Sequence, residues 1–204
     1  MTENQLDWAR RLAAIAQNGL HFSKDPYDRE RFEQVRTIAA EMLAEHASPS
    51  SLVRDLALET GYTTPKVDTR AVVVREGNLL LAREATDGLW TLPGGWADPG
   101  ESPARNCVRE VREETGLEVR AVRLLALYDR ELHNHSPKYF FHVYKLFFHC
   151  EITGGTLTPS AETPELGFFD PAVLPPLSVA RITEGQIRRC LKLIADPSLP
   201  TDFD

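Results

Sequence analysis

Cysteine is scarce in this chain and poorly placed for structural use. Cys107, Cys150 and Cys190 are the only three in 204 residues, far apart and without a C-x-x-C pair. An odd, scattered set builds neither a disulfide framework nor a zinc site; it points to a reducing compartment and three inert core thiols. A basic surplus is missing as well. A net charge of -7 and a pI near 5.4 give no electrostatic footprint for nucleic acid. A polyanionic ligand would have to be met by local basic groups or by a metal ion. No apolar run is long enough to span a bilayer, and the opening MTENQLDWARRL lacks the apolar core of a signal peptide. The expectation is a soluble cytoplasmic protein with no nucleic-acid or membrane partner. Repeats and low-complexity tracts are absent too. What remains is ordinary: 42% hydrophobic and 26% charged residues, enough for one domain with a small appendage.

Organisation follows from periodicity. Thr2 and Gln5 suggest a capping box, and Leu6, Trp8, Leu12, Ile15 and Ala16 recur at helical spacing until Asn18-Gly19, which reads as a stop. Asp25-Pro26 reads as a second start, followed by an apolar stripe of Phe32, Val35, Ile38, Ala39, Met42 and Leu43. Ser50 or Ser51 could cap a third helix ending at Gly61. The pattern changes at Thr64-Pro65, which divides a helical subdomain, 1–64, from a larger domain, 65–204. Strands are expected at Thr69–Arg75 and Leu79–Arg83 around a Glu76-Gly77-Asn78 turn, then at Ala121–Leu127, Tyr139–Ile152 and Leu166–Phe169. Gly154-Gly155 reads as a turn and Thr183–Ile194 as a last helix. Helices interspersed among strands without strict alternation suggest an α+β chain.

One stretch carries the chemistry: GGWADPGESPARNCVREVREETGL, Gly94 to Leu117, with four glutamates and three arginines. Placed on a helix from Pro103 to Thr115, Ala104, Cys107, Val108 and Val111 form an apolar stripe for the core. Arg105, Arg109 and Arg112 occupy a second flank, and Glu110, Glu113 and Glu114 a third. Like charges at i, i+3 and i+4 repel, by a few tenths of a kcal/mol (~0.2–0.5) per pair in water. A solvated face is the ordinary reading of such a flank. The alternative is a hard divalent cation, which relieves the repulsion with oxygen ligands. The preceding Gly94, Gly95 and Gly100 would let backbone approach a ligand, and Glu101 adds a fourth carboxylate within reach of Arg109.

Gly95, five residues, Glu101, seven residues, then REVREETGL from Arg109 to Leu117 resembles the signature box of the Nudix hydrolases at every fixed residue and spacing. Trp90-Thr91-Leu92-Pro93-Gly94 resembles the strand leading into that box. The segments LAAIAQNGLHFSKDPYDRERFEQVRTIAAEML, GYTTPKVDTRAVVV, ETPELGFFD and LPPLSVARITEGQI are similar to a branch that includes bacterial enzymes acting on ADP-ribose and CDP-choline. The resemblance implies an α/β/α sandwich with a mixed sheet behind the small helical subdomain. It also implies metal-dependent hydrolysis of the pyrophosphate bond in a nucleoside diphosphate linked to another moiety, ADP-ribose or CDP-choline foremost.

The same resemblance assigns roles. Glu110 and Glu114, with Glu113 beside them and the carbonyl of Gly95, become ligands of Mg2+ or Mn2+, whose work is to neutralise phosphate oxygens and lower the pKa of a bound water. Arg109 becomes a partner of Glu101. The general base is either a box glutamate, Glu113 or Glu114, or a downstream acid, Glu162 or Glu165, which could equally belong to a solvated loop. Arg70 and Arg83 could hold phosphates or serve as edge-strand charges. Trp96 and Tyr139 could stack on a base or sugar or lie in the core, whereas Phe140 is assigned to the core. His133 and His135 are placed on a mobile loop over the site. Two exposed apolar helix stripes suggest a homodimer. Two other readings stand beside the enzyme: a sensor that binds ADP-ribose without cleaving it, and a nucleoside triphosphate pyrophosphohydrolase. The intact box argues against the first, and the helical segment against the second.

Overall fold

The structure, a computed structural model, describes residues 3–43 and 60–204. The chain divides into two compact units, Met1–Thr64 and Pro65–Asp204.

In the first unit, α1 (Glu3–Phe22) and α2 (Pro26–Leu43) pack against each other. Asp25 caps α2, its carboxylate accepting from the N–H groups of Tyr27 at 2.9 Å and Asp28 at 3.0 Å. The α1–α2 seam is built from small residues, with Ala9, Ala13, Ala16, Ala39 and Ala40 buried. Gly19 does not stop α1. The helix runs through it to Phe22, and a Cβ there would fall 2.4 Å from the ring of Phe32, so the glycine serves close packing of α2. The returning chain is tied to α1 by Gln17 and Asn18, which bond Gly61 and Thr63. The cap expected at Thr2 and the helix expected from Ser50 or Ser51 lie outside the described residues.

The second unit is built on a seven-stranded mixed sheet: β1 (Lys66–Arg75), β2 (Asn78–Arg83), β3 (Trp90–Thr91), β4 (Leu117–Asp129), β5 (Val143–Gly155), β6 (Glu165–Phe169) and β7 (Asp202–Phe203). The order is β3-β2-β1-β5-β4-β7, with β6 also paired to β2. β1 and β2 form a hairpin whose turn puts Glu76 and Gly77 at φ 51° and 79°. β1 and β5 are parallel, and β4 and β5 antiparallel. Beyond β3 the chain continues alongside β1: Ala71 N–H bonds Pro93 O, and Thr69 N–H bonds Gly95 O, both at 2.8 Å.

Strand alternation separates two cores. On one face Ala71, Val73, Leu80, Phe148 and Cys150 pack with Cys107 and Val111 of helix α3 (Pro103–Thr115). On the other, Val72, Leu79, Leu81 and Phe147 pack with Ile187, Cys190 and Leu193 of helix α4 (Glu184–Ala195). Helices on both faces of a mixed sheet make an α/β/α sandwich. All three cysteines are buried and free.

Several element boundaries depart from the sequence reading. β4 starts at Leu117, directly after the left-handed cap Gly116, and not at Ala121. β5 starts at Val143, so Tyr139 and Phe140 precede it; Phe140 is half-buried against Phe141 and not in either core. β7 was not anticipated: two residues pair with β4, and Asp202 is clasped by Arg189 and by Tyr128. No described helix is long and apolar enough to cross a membrane.

Candidate active site

α3 is the organising element. Ser102 caps it, accepting from Arg105 N–H at 3.3 Å, and Gly116 closes it. Its three glutamates do not share one flank in environment. Glu114 is buried, Glu110 keeps 17% of its side chain exposed, and Glu113 keeps 59%. Depth along the helix makes the difference, because Glu114 turns under the glycine loop. Its Oε2 accepts the Gly94 N–H at 2.8 Å. Gly94 sits at φ 133°, and a Cβ there would lie 2.0 Å from Thr69 O, so only glycine lets the loop come this close. The Glu110 carboxylate lies against Gly95, where an added Cβ would be 3.0 Å from its Oε2.

Burial pushes the Glu114 carboxyl up to about 7, against the opposing pull of Arg70 and the Gly94 N–H; Glu110 and Glu84 add to the rise. Burial likewise raises Glu110, opposed by Arg109. Burial, more than mutual repulsion, thus sets the two inner glutamates apart from Glu113.

Arg109 is the clamp. Its Nε donates to Glu101 at 3.0 Å, Nη1 to Glu113 at 2.8 Å and to Glu110 at 2.9 Å. Nη2 donates to Asp98 at 2.8 Å and to Asn106 at 2.7 Å. The bond to Glu101, with those to Glu113 and Glu110, raises the guanidinium pKa, so the group stays charged. Asn106 was missed in the sequence. Fully buried, it bonds Thr69 Oγ1 at 2.9 Å and accepts the Asp98 N–H at 3.0 Å, so it locks the loop to β1. In helical projection it falls on the glutamate flank, four, seven and eight residues before Glu110, Glu113 and Glu114, so nothing in the sequence set it apart.

A second charged group lies behind the box. Arg70 is buried, its guanidinium held by Asp68 at 2.8 Å and by Leu92 O at 3.1 Å. Lys145 of β5 donates to the other oxygen of Asp68 and is itself buried. Burial would raise Asp68, but Arg70 and Lys145 outweigh it and hold the carboxyl below its ordinary range. Asp68 and Lys145 were not singled out in the sequence, since they meet only through strand pairing.

The remaining candidates are placed as follows. Arg70 and Arg83 were offered as phosphate holders, and both guanidinium groups are committed internally. Arg83 donates to Gly88 O at 2.7 Å and forms an ion pair with Glu165 across the β2–β6 ladder. Glu165 is therefore occupied on the sheet. Glu162 sits on an exposed turn anchored to the box helix: Thr163 Oγ1 donates to Glu114 O at 2.7 Å, and Glu162 O accepts from Ala85 N–H at 2.8 Å. Trp96 and Tyr139 stack on each other, centroids 6.1 Å apart and planes 24° apart, and both are exposed. His133 and His135 are not on a free loop. His133 bonds Asp204 at 2.9 Å and packs on Tyr128, and His135 is buried with Nδ1 2.8 Å from Val179 O.

Oxygen-only donors suit a hard divalent cation. Glu110 beside Gly95, Glu114 at the Gly94 N–H and the Gly95 carbonyl could supply them. Among the described residues no three acidic, histidine or cysteine side chains already converge as a cage.

Carboxylates clustered beside a glycine loop mark this part of the sandwich as the candidate site. Comparison with known proteins gives the family. The NUDIX domain matches residues 64–190, and a UDP-X-like, N-terminal oligomerisation domain matches residues 3–51. A Bacillus subtilis (strain 168) protein provisionally named ADP-ribose pyrophosphatase is 44% identical over 98% of this chain and 96% of its own length. An ADP-ribose pyrophosphatase structure from Streptococcus suis 89-1591 superposes with a TM-score of 0.63 at 42% identity, covering 69% of this chain and all of that one (100%). The crystal structure of a UDP-X diphosphatase gives 0.65 at 32% identity over 98% of both chains. This chain belongs to the Nudix hydrolases and is a pyrophosphohydrolase.

Proposed function

We propose that the protein hydrolyses the phosphoanhydride of a nucleoside diphosphate linked to a sugar or alcohol, ADP-ribose foremost, giving a nucleoside monophosphate and the phosphorylated moiety. The observation that carries this reading is the pair of desolvated carboxylates, Glu110 and Glu114, seated on the Gly94–Gly95 backbone. Glu110, Glu114 and Gly95 O would hold Mg2+ or Mn2+, with Glu113 at the exposed edge. The ion, when bound, neutralises diphosphate oxygens and makes a bound water more acidic.

The protein's own contributions are positional. Arg109 keeps Glu101, Glu113 and the Asp98 loop in register. The Asp68–Arg70–Lys145 group sets a rigid floor under Glu114. Of the two downstream acids, Glu162 is favoured as the general base, because its turn is pinned to the Glu114 carbonyl while Glu165 is engaged by Arg83. The names of two relatives support putting ADP-ribose first in the panel, and the likeness to a UDP-X diphosphatase keeps UDP-linked compounds beside it. A homodimer is supported by the exposed Trp8, Ile15, Phe22 and Ile38 of the helical unit and by its oligomerisation-domain match.

The test is a panel of ADP-ribose, CDP-choline, UDP-glucose and ATP with Mg2+ or Mn2+, products separated by chromatography. AMP with ribose 5-phosphate from ADP-ribose is the expected outcome. Pyrophosphate release from ATP at a higher kcat/KM would replace this reading.

A further inference from the structure

Arg181, in the segment that leads into α4, belongs to none of the groups described above. Its guanidinium is engaged at all three nitrogens. Nε lies 3.1 Å from Glu84 Oε1. Nη1 donates to Asp87 at 2.8 Å and to Ser178 Oγ at 3.0 Å, and Nη2 donates to Thr86 Oγ1 at 2.9 Å. Glu84, Thr86 and Asp87 all lie on the turn that joins β2 to β3. Ser178 is fully buried and itself donates to Asp87 at 2.7 Å, which closes the clasp.

A single exposed ion pair such as Arg83 with Glu165 contributes little. Arg181 differs, because its fork grips four groups at once and Glu84 keeps only 13% of its side chain exposed. Burial would raise the Asp87 carboxyl, but the Ser178 hydroxyl, the Leu89 N–H and Arg181 outweigh it and hold the group below its ordinary range. Asp87 therefore stays a charged partner.

The turn held in this way is closed on itself. Glu84 N–H bonds Leu89 O and Gly88 N–H bonds Glu84 O, both at 2.9 Å. Its Ala85 N–H donates to Glu162 O at 2.8 Å. From the other side Thr163 Oγ1 donates to Glu114 O at 2.7 Å. Within the second turn Ser160 Oγ accepts from the N–H groups of Glu162 at 3.2 Å and Thr163 at 3.1 Å. The 160–163 turn is thus strung between the Arg181 clasp and the box helix. A carboxylate that serves as a base has to stand within reach of one water, and a misplacement of about 1 Å can cost about 10²-fold.

We propose that Arg181 is a positioning residue: by gripping the β2–β3 turn it sets the 160–163 turn, and with it Glu162, against the carboxylate box. It acts through the Ala85–Glu162 backbone bond and not by contact with the substrate. The inference rests on the reading under Proposed function, but one arm of its test needs no turnover.

Hydrogen exchange on the full chain reads the Ala85 amide directly. In Arg181→Gln its protection is expected to fall at least tenfold while the amides of β5 keep theirs. ADP-ribose hydrolysis with Mg2+ reads the consequence. In Arg181→Gln, kcat is expected to fall about tenfold with KM within twofold. The double variant Arg181→Gln/Glu162→Gln is expected within twofold of Glu162→Gln alone, because both changes remove one function. Asp87→Asn, at an exposed position, loosens the same clasp and keeps the test open if Arg181→Gln fails to fold; about threefold losses in kcat and in Ala85 protection are expected. Ala85 protection unchanged in both Arg181→Gln and Asp87→Asn overturns the proposal. So does a double variant whose loss is the product of the two single losses, or a loss that appears in KM with kcat kept. If the wild type cleaves no diphosphate compound, the functional reading fails, and the exchange arm alone decides whether Arg181 sets the turn.

Discussion

The carboxylate box and the buried Asp68–Arg70–Lys145 group behind it are built in opposite ways. The box draws its acids from one helix and one loop, Glu101 to Glu114, so spacing alone brings the groups together. The charged group draws single residues from β1 and β5, which meet only through strand pairing. On the function proposed above, the first group meets the diphosphate and the second holds the strand beneath it.

The comparison breaks most visibly at Glu114. Glu114→Gln retains an acceptor for Gly94 N–H and removes the charge, and kcat/KM is expected to fall at least 10³-fold, about 4 kcal/mol. Steady-state hydrolysis of ADP-ribose checks this, and a loss under tenfold removes Glu114 from the chemistry. Gly94→Ala follows, with its Cβ driven toward Thr69 O, 2.0 Å away in the present backbone. A loss of 10²-fold or more in activity together with a lower melting temperature is expected; a variant with wild-type melting and turnover would show the loop is not built on that approach. Next come the two downstream acids. Glu162→Gln is expected to lower kcat about tenfold and Glu165→Gln by less than twofold, because the latter breaks only an exposed pair with Arg83. Reversal of that order, read from kcat at saturating substrate, moves the base to β6.

The smallest effect separates the regions by pH. His135 is lowered to about 4 from an ordinary 6.5, by burial first and then by Lys145 and Arg130, with Val179 O and Asp68 opposing. A histidine with a depressed folded pKa contributes stability present above 6.5 and lost as pH falls toward 4, at most about 3 kcal/mol. Glu114, raised to about 7, acts with the opposite sign in the same window, since the folded carboxyl binds its proton first. The readout is therefore the difference between wild type and His135→Gln in urea unfolding at pH 7.5 and pH 5. The wild type is expected to lose more stability than the variant on acidification. Equal slopes would mean that the ring is solvated.

Legibility followed the same division. The helix over Pro103–Thr115, its glycine stop and the Arg109–Glu101 spacing are local, because capping and i to i+4 geometry act within a few residues. The reading of Gly19 as a stop failed because a glycine within a helix looks the same whether it ends the helix or admits a neighbour; only Phe32, supplied by α2, tells them apart. Arg83 and Glu165 appeared as separate candidates until the β2–β6 register set them opposite each other. Asn106 was overlooked because it sits among the polar residues of α3, and Lys145 because a polar residue in an apolar strand signals a partner without saying which.

By itself the sequence determined the reaction class, because the Gly95–Leu117 stretch that carries the Nudix box is contiguous and its helical part is coded by local spacing. Tertiary structure alone decided which glutamates are desolvated and which arginines are already occupied. Burial and pairing depend on strand register and on loops crossing from distant parts of the chain, and no local periodicity encodes those.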